Sequence, residues 1–154
     1  MKRFIPILLF VLISFLVGYF SMLLQMESMI MWYPMLNVSS LTPPGYVFSI
    51  VWAVLYLLMG IAAGLVWSMR TIYSFVMTVM FFIQLMLNLL WSFCFFYLRS
   101  PGLGLVALTV LLVFVVMYVA ACYKQNRTAA YLNIPYIVWL LFAIYLNGYV
   151  VLSN

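Results

Sequence analysis

Residues 101–123 read Pro101-Gly-Leu-Gly-Leu-Val-Ala-Leu-Thr-Val-Leu-Leu-Val-Phe-Val-Val-Met-Tyr-Val-Ala-Ala-Cys-Tyr123, an apolar run without a charged residue. Wound as a helix at about 1.5 Å per residue, the run is long enough to cross the roughly 30 Å hydrocarbon core of a bilayer. A strand of a membrane barrel would instead show about ten residues of alternating polarity. No such alternation is present, so the segment reads as a transmembrane helix.

The same pattern repeats outward from this run. Apolar stretches lie at roughly 4–26, 44–68, 72–98, 101–123 and 129–152, separated by charged and turn-forming residues. They predict an all-α membrane protein, a five-transmembrane-helix bundle forming a single membrane domain over residues 1–154, with no room for a soluble domain. Composition agrees: 71% of residues are hydrophobic and 5% charged, against about 25% charged in soluble domains. A chain with so few polar side chains cannot cover itself in water.

Several function classes are excluded by what the chain lacks. It has no His, no Asp and a single acid, Glu27. A His-liganded metal site, a Ser/His/Asp triad and a pair of catalytic carboxylates are therefore impossible within one chain. No metal and no required cofactor are expected. The net charge of +5 comes from basic residues scattered at the ends of apolar runs. That arrangement is not a nucleic-acid patch, and the expected macromolecular surroundings are membrane lipid.

The same charges predict topology. Lys2, Arg3, Arg70, Lys124 and Arg127 fall on one side of a five-helix bundle, Arg99 and Glu27 on the other. The positive-inside rule then puts the N-terminus in the cytoplasm and the C-terminus outside. Lys2-Arg3 precede an apolar run too long for a signal peptide and followed by no small-x-small site, so the first helix is read as uncleaved. The connection from Glu27 to Pro43 is too apolar for a solvated loop. It is expected to be a long first loop that folds back over the helix ends, either as an interfacial segment carrying Trp32 and Tyr33 or as a lid capping a pocket.

Gly60-Ile-Ala-Ala-Gly64 is a GxxxG stripe that lets helix backbones approach, with a neighbour inside the chain as the default reading. Cys94 and Cys122 lie at opposite ends of adjacent helices, too far apart for a disulfide.

Polar residues within the runs fall on particular faces. Gln84, Asn88, Trp91 and Ser92 share one side of the third helix, Trp52 and Tyr56 one side of the second, and Trp139, Ala143, Leu146 and Asn147 one side of the fifth. Counted from the external ends, these faces meet at comparable depth in the outer half of the membrane. They describe an aromatic-lined pocket with a few orienting polar groups. The competing reading makes Asn88 and Asn147 interhelical glue and the Trp residues part of the interfacial belt.

These residues also carry a family resemblance. Trp32-Tyr33, Pro43-Pro44-Gly45-Tyr46-Val47-Phe48, Trp52, Leu55-Tyr56 and Met59-Gly60 resemble the second-helix signature of the translocator protein family, also called tryptophan-rich sensory proteins or peripheral benzodiazepine receptors. Gln84 through Ser92 with Phe95-Phe96 is similar to its third-helix motif. Pro135-Tyr136, Trp139, Phe142-Ala143 and Leu146-Asn147 are similar to its fifth. The likeness is to bacterial-type members and spans about residues 32–154.

The resemblance implies a multi-pass protein of a bacterial cell membrane, commonly a homodimer, that binds protoporphyrin IX-type tetrapyrroles and benzodiazepine- or isoquinoline-type ligands. It places the ligand against Trp32, Tyr33, Pro44, Phe48, Trp52, Tyr56, Asn88, Trp91, Ser92, Trp139, Ala143, Leu146 and Asn147. An alternative implied by the family is light- and oxygen-dependent porphyrin degradation, with Trp52 and Trp139 as catalytic residues. A second alternative is passive transport of porphyrin or another hydrophobic ligand. The sequence departs from the pattern at Val38-Ser39, where members often carry Lys-Pro, and at Leu41 and Tyr46, where they often carry Trp. Tyr149 is followed by no basic residue, so the sterol motif of animal members is not supported.

Overall fold

The computed structural model describes residues 4–154, so Lys2 and Arg3 of the topology argument lie outside the described residues. The chain forms α1 (Phe4–Met31), α2 (Gly45–Trp67), α3 (Ile72–Ser92), α4 (Pro101–Gln125), α5 (Arg127–Leu132) and α6 (Ile134–Ser153). A π-helical turn, Phe93–Tyr97, extends α3, and α5 runs into α6, giving five spans long and apolar enough to cross a membrane. Among the described residues there is no strand. The protein is an integral, multi-pass membrane protein.

Its surface shows what solvent it faces. Leu8, Leu12, Leu16, Val106, Val110 and Val113 are exposed, whereas Ser14, Gln84, Asn88 and Ser92 are buried. With lipid outside, the apolar side chains have nothing to gain by turning inward, and the polar ones must find partners within the bundle.

Three element boundaries differ from the sequence reading. First, α1 continues five residues past the expected end, through Glu27 to Met31. Glu27 does not end the helix because Arg99 pairs with it at 2.8 Å across the bundle rim. The apolar Met29-Ile-Met31 that follows contains no breaker before Pro34. The connection to α2 is therefore residues 32–44, not a loop starting at Glu27, and it includes a 3-10 turn at Tyr33–Met35. Second, the third span ends in the π turn, in which the Leu98 N–H donates to the Phe93 carbonyl at 2.9 Å. Third, the last span breaks at Asn133 because Pro135 has no N–H to continue the ladder. The Asn133 side chain donates to the Ala129 carbonyl at 2.8 Å.

The GxxxG stripe packs inside the chain. A methyl group on Gly60 would sit 2.5 Å from the Cα of Val11, and one on Gly64 would strike the Ile7 backbone. Backbone-to-backbone contact of this kind locks the N-terminal half of α1 against the C-terminal half of α2. Further along, Gly18 faces the Tyr56 ring, leaving 2.6 Å for an added Cβ. Beyond that point no glycine holds the two helices together.

Candidate functional site

The half of the bundle formed by the C-terminal ends of α1, α3 and α6 and the N-terminal end of α2 holds a cavity of about 400 Å³, within the usual range for small-molecule sites. Its walls come from α1, α2, α3, the π turn, α6 and the 32–44 connection. On α2 and α3, Trp52 stacks on Trp91 with ring centres 5.8 Å apart and planes inclined by 28°. Trp52 also lies 5.7 Å from Tyr56 and 6.1 Å from Tyr136. The π turn carries Phe95 and Phe96 to the same wall, the two rings meeting edge to face at 4.7 Å.

A π turn leaves main-chain groups without their helical partners, and α1 supplies one. Ser28 donates to the Phe96 carbonyl at 2.6 Å, while Arg99 donates to the same serine at 3.4 Å. The extension of α1 past Glu27 thus positions the aromatic pair.

The polar groups form an interhelical network. Tyr56 donates to the Asn88 carbonyl oxygen at 2.8 Å, and the Asn88 amide donates to Tyr136 at 3.2 Å. On the other side, Trp91 donates to Asn147 Oδ1 at 3.4 Å and Asn147 donates to the Pro101 carbonyl at 2.7 Å. Both carboxamides thus tie helices together.

Of the thirteen residues singled out from the sequence, the structure brings Tyr33, Phe48, Trp52, Tyr56, Asn88, Trp91, Ser92, Ala143, Leu146 and Asn147 to the cavity wall. Three are set off it. Trp32 packs edge to face on Phe95 at 5.7 Å, behind the wall. Pro44 yields its place to Pro43 and Gly45 on either side. Trp139 shares a helix face with Ala143 and Leu146, but the Phe48 ring lies against it at 5.4 Å and takes the lining position. The Trp139 indole N–H is buried without a partner.

The sequence reading missed the α1 wall altogether. Phe15, Gly18, Tyr19, Ser21, Met22, Gln25 and Met29 all line the cavity. A signal existed: Ser14, Gly18, Ser21, Gln25 and Ser28 alternate at spacings of four and three, a small and polar seam in an otherwise uniformly apolar helix. Tyr19 and Met22 on α1, and Ser49 and Ala53 on α2, line the cavity and are also exposed. The cavity therefore opens sideways between α1 and α2, toward lipid.

The 32–44 connection lies across the C-terminal end of α6. The Asn37 backbone N–H donates to Asn154 Oδ1 at 2.9 Å, the Asn154 amide donates to the Asn37 carbonyl at 3.1 Å, and Ser39 shares a hydrogen bond with Tyr145 at 3.0 Å. Tyr33 and Pro43 are its contribution to the wall. Burial raises the Tyr33 pKa above its usual value, so the phenol stays neutral at physiological pH.

A five-helix membrane bundle with an aromatic, ligand-sized cavity in one half defines the class of protein. The chain belongs to the TspO/MBR family, whose model matches residues 9–152. It is 39% identical over 120 residues to the tryptophan-rich protein TspO of Chlorobaculum tepidum, covering 75% of each chain. Over 138 residues it is 33% identical to the TspO of Archaeoglobus fulgidus, covering 90% of each. Against the human translocator protein it is 35% identical over 119 residues, 75% of this chain and 70% of the relative.

Proposed function

We propose that this protein is a membrane receptor or sensor for flat, largely apolar tetrapyrroles of the protoporphyrin IX type, held in the cavity between α1, α2, α3 and α6. The observation that carries the reading is the Trp52 and Trp91 stack beside Tyr56, Phe95 and Phe96. Flat aromatic faces bind a flat ring system with little demand for specific polar contacts. The same cavity suits benzodiazepine- or isoquinoline-type ligands, which are also aromatic and uncharged. With no His in the chain, metal-free porphyrin is favoured over haem.

Titration of purified protein with protoporphyrin in the dark, followed by quenching of tryptophan fluorescence, tests this. Trp52→Ala should weaken binding by about 1–3 kcal/mol, the scale of stacking a planar ring on an aromatic side chain. Trp67→Ala should leave it unchanged, since Trp67 ends α2 at the opposite face of the membrane, against Phe10. Equal losses at both positions in folded protein would remove the case for this site.

Light-dependent degradation of the bound porphyrin is the second reading. Its residues are Trp52 and Trp139, of which Trp52 alone lines the cavity, so the geometry favours binding over turnover. A third reading, passive transport of porphyrin or another hydrophobic ligand, is favoured by the sideways opening between α1 and α2, and it needs a passage to the other half of the bundle that the GxxxG contact keeps closed. For topology we retain the cytoplasmic N-terminus and external C-terminus in a bacterial cell membrane, on the grouping of Arg70, Lys124 and Arg127 at one end of the bundle and Arg99 with Glu27 at the other. A homodimer is retained from the resemblance, with an interface other than Gly60 and Gly64, whose faces α1 occupies.

A further inference from the structure

Most serine and threonine hydroxyls of these helices are satisfied locally. Ser14 and Thr78 inside the bundle, half-buried Ser68, and exposed Ser49 and Thr109 each donate to the carbonyl four residues back, the usual resort of a hydroxyl in a membrane helix. Ser28 donates to Phe96. Ser21 does none of these: it is 4% exposed, makes no hydrogen bond of ordinary geometry, and lines the cavity beside the Tyr56 hydroxyl. One turn along α1 from Ser21, the Gln25 amide donates to Ser92 Oγ at 3.0 Å, which leaves the Ser92 proton free to be donated.

This wall therefore offers hydroxyl donors. The carboxamides of the cavity wall, Asn88 and Asn147, already bond to protein. Among the described residues, none that lines the cavity is Lys, Arg, Asp or Glu. The nearest charges, Arg99 and Glu27, are paired with each other at the rim. An ionised carboxylate brought into such a site would lose its hydration and find no cation, at a cost far above that of a neutral carbonyl meeting a hydroxyl.

We propose that Ser21 and Ser92 form a hydrogen-bonding subsite for an uncharged acceptor, an ester, ketone or amide carbonyl, and that the cavity selects uncharged ligands over carboxylates. The proposal rests on the tetrapyrrole reading and narrows it: a free propionate has to remain at the sideways mouth, outside the wall, whereas an esterified one enters and bonds.

The test compares three metal-free porphyrins on the full chain in nanodiscs at neutral pH, in the dark, with empty nanodiscs subtracted. They are octaethylporphyrin, which has no carbonyl, protoporphyrin IX dimethyl ester, and protoporphyrin IX as the free acid. The ester is expected to bind most tightly, with the acid about tenfold weaker or more. Ser21→Ala should weaken the ester about three- to tenfold, the loss of one hydrogen bond, and leave octaethylporphyrin unchanged. Ser21→Thr, which restores a hydroxyl, should recover ester binding, and octaethylporphyrin binding to each variant reports that the cavity is intact. If the acid binds as tightly as the ester, or Ser21→Ala affects neither or all three ligands alike, the subsite is wrong while the tetrapyrrole reading stands. If none of the three binds, the tetrapyrrole reading fails and the subsite with it.

Discussion

Asn88 shows how one side chain sets a site in a membrane protein. It is 1% exposed and joins α2 to α6 by accepting from Tyr56 and donating to Tyr136. Replacing it by Leu strands two buried phenol hydroxyls in a medium with no water to take them. We expect Asn88→Leu to cost about 1–3 kcal/mol of stability, seen as a lower melting temperature in detergent, with Tyr56→Phe costing less because only one bond is lost. Equal stability of Asn88→Leu and wild type would mean the network ties nothing together. The sequence showed Asn88, Trp91 and Ser92 on one helix face, and the structure keeps them there. It could not show that Phe48 takes the place expected of Trp139, because two rings on different helices compete for one position and periodicity describes each helix alone.

At the scale of elements, the α1 and α2 pair divides into a half locked at Gly60 and Gly64 and a half open at the cavity beside Ala53. Gly60 and Gly64 touch the α1 backbone, so neither can grow. Gly60→Leu is predicted to prevent correct packing, read as loss of monodisperse protein in size-exclusion chromatography. Gly148, by contrast, sits in a helix with nothing within 4 Å of an added Cβ. Gly148→Ala should be tolerated and add up to about 0.5–1 kcal/mol through helix propensity. Similar behaviour of the two variants would contradict the close contact. The GxxxG stripe and the five spans were legible because length and small-residue spacing are local properties of the chain. The π turn and the extension of α1 were not, since both depend on tertiary partners: Ser28 for the Phe96 carbonyl, and Arg99 for Glu27.

The whole molecule is an inverted globule, apolar outside and polar at selected points within, with α1 and α2 in backbone contact in one half and a cavity in the other. Topology belongs to this scale. A reporter fused after Asn154 should be active on the external side only, and activity confined to the cytoplasm would reverse the assignment of the pocket to the outer leaflet. Family, span number and three of the cavity's walls, on α2, α3 and α6, were readable from motifs, while the α1 wall was easily overlooked because its seam of small and polar residues, Ser14, Gly18, Ser21, Gln25 and Ser28, is thin within an otherwise apolar helix.

That the cavity itself holds the tetrapyrrole is tested most directly by filling it. Ala53 is exposed and lines the cavity at its sideways opening, so a larger side chain there narrows the space without displacing a packed neighbour. Ala53→Phe should therefore remain folded and monodisperse, with a melting temperature near that of wild type, and lose porphyrin binding by about tenfold or more when titrated in the dark. Wild-type affinity in folded Ala53→Phe protein would place the ligand elsewhere on the molecule and contradict the proposed site.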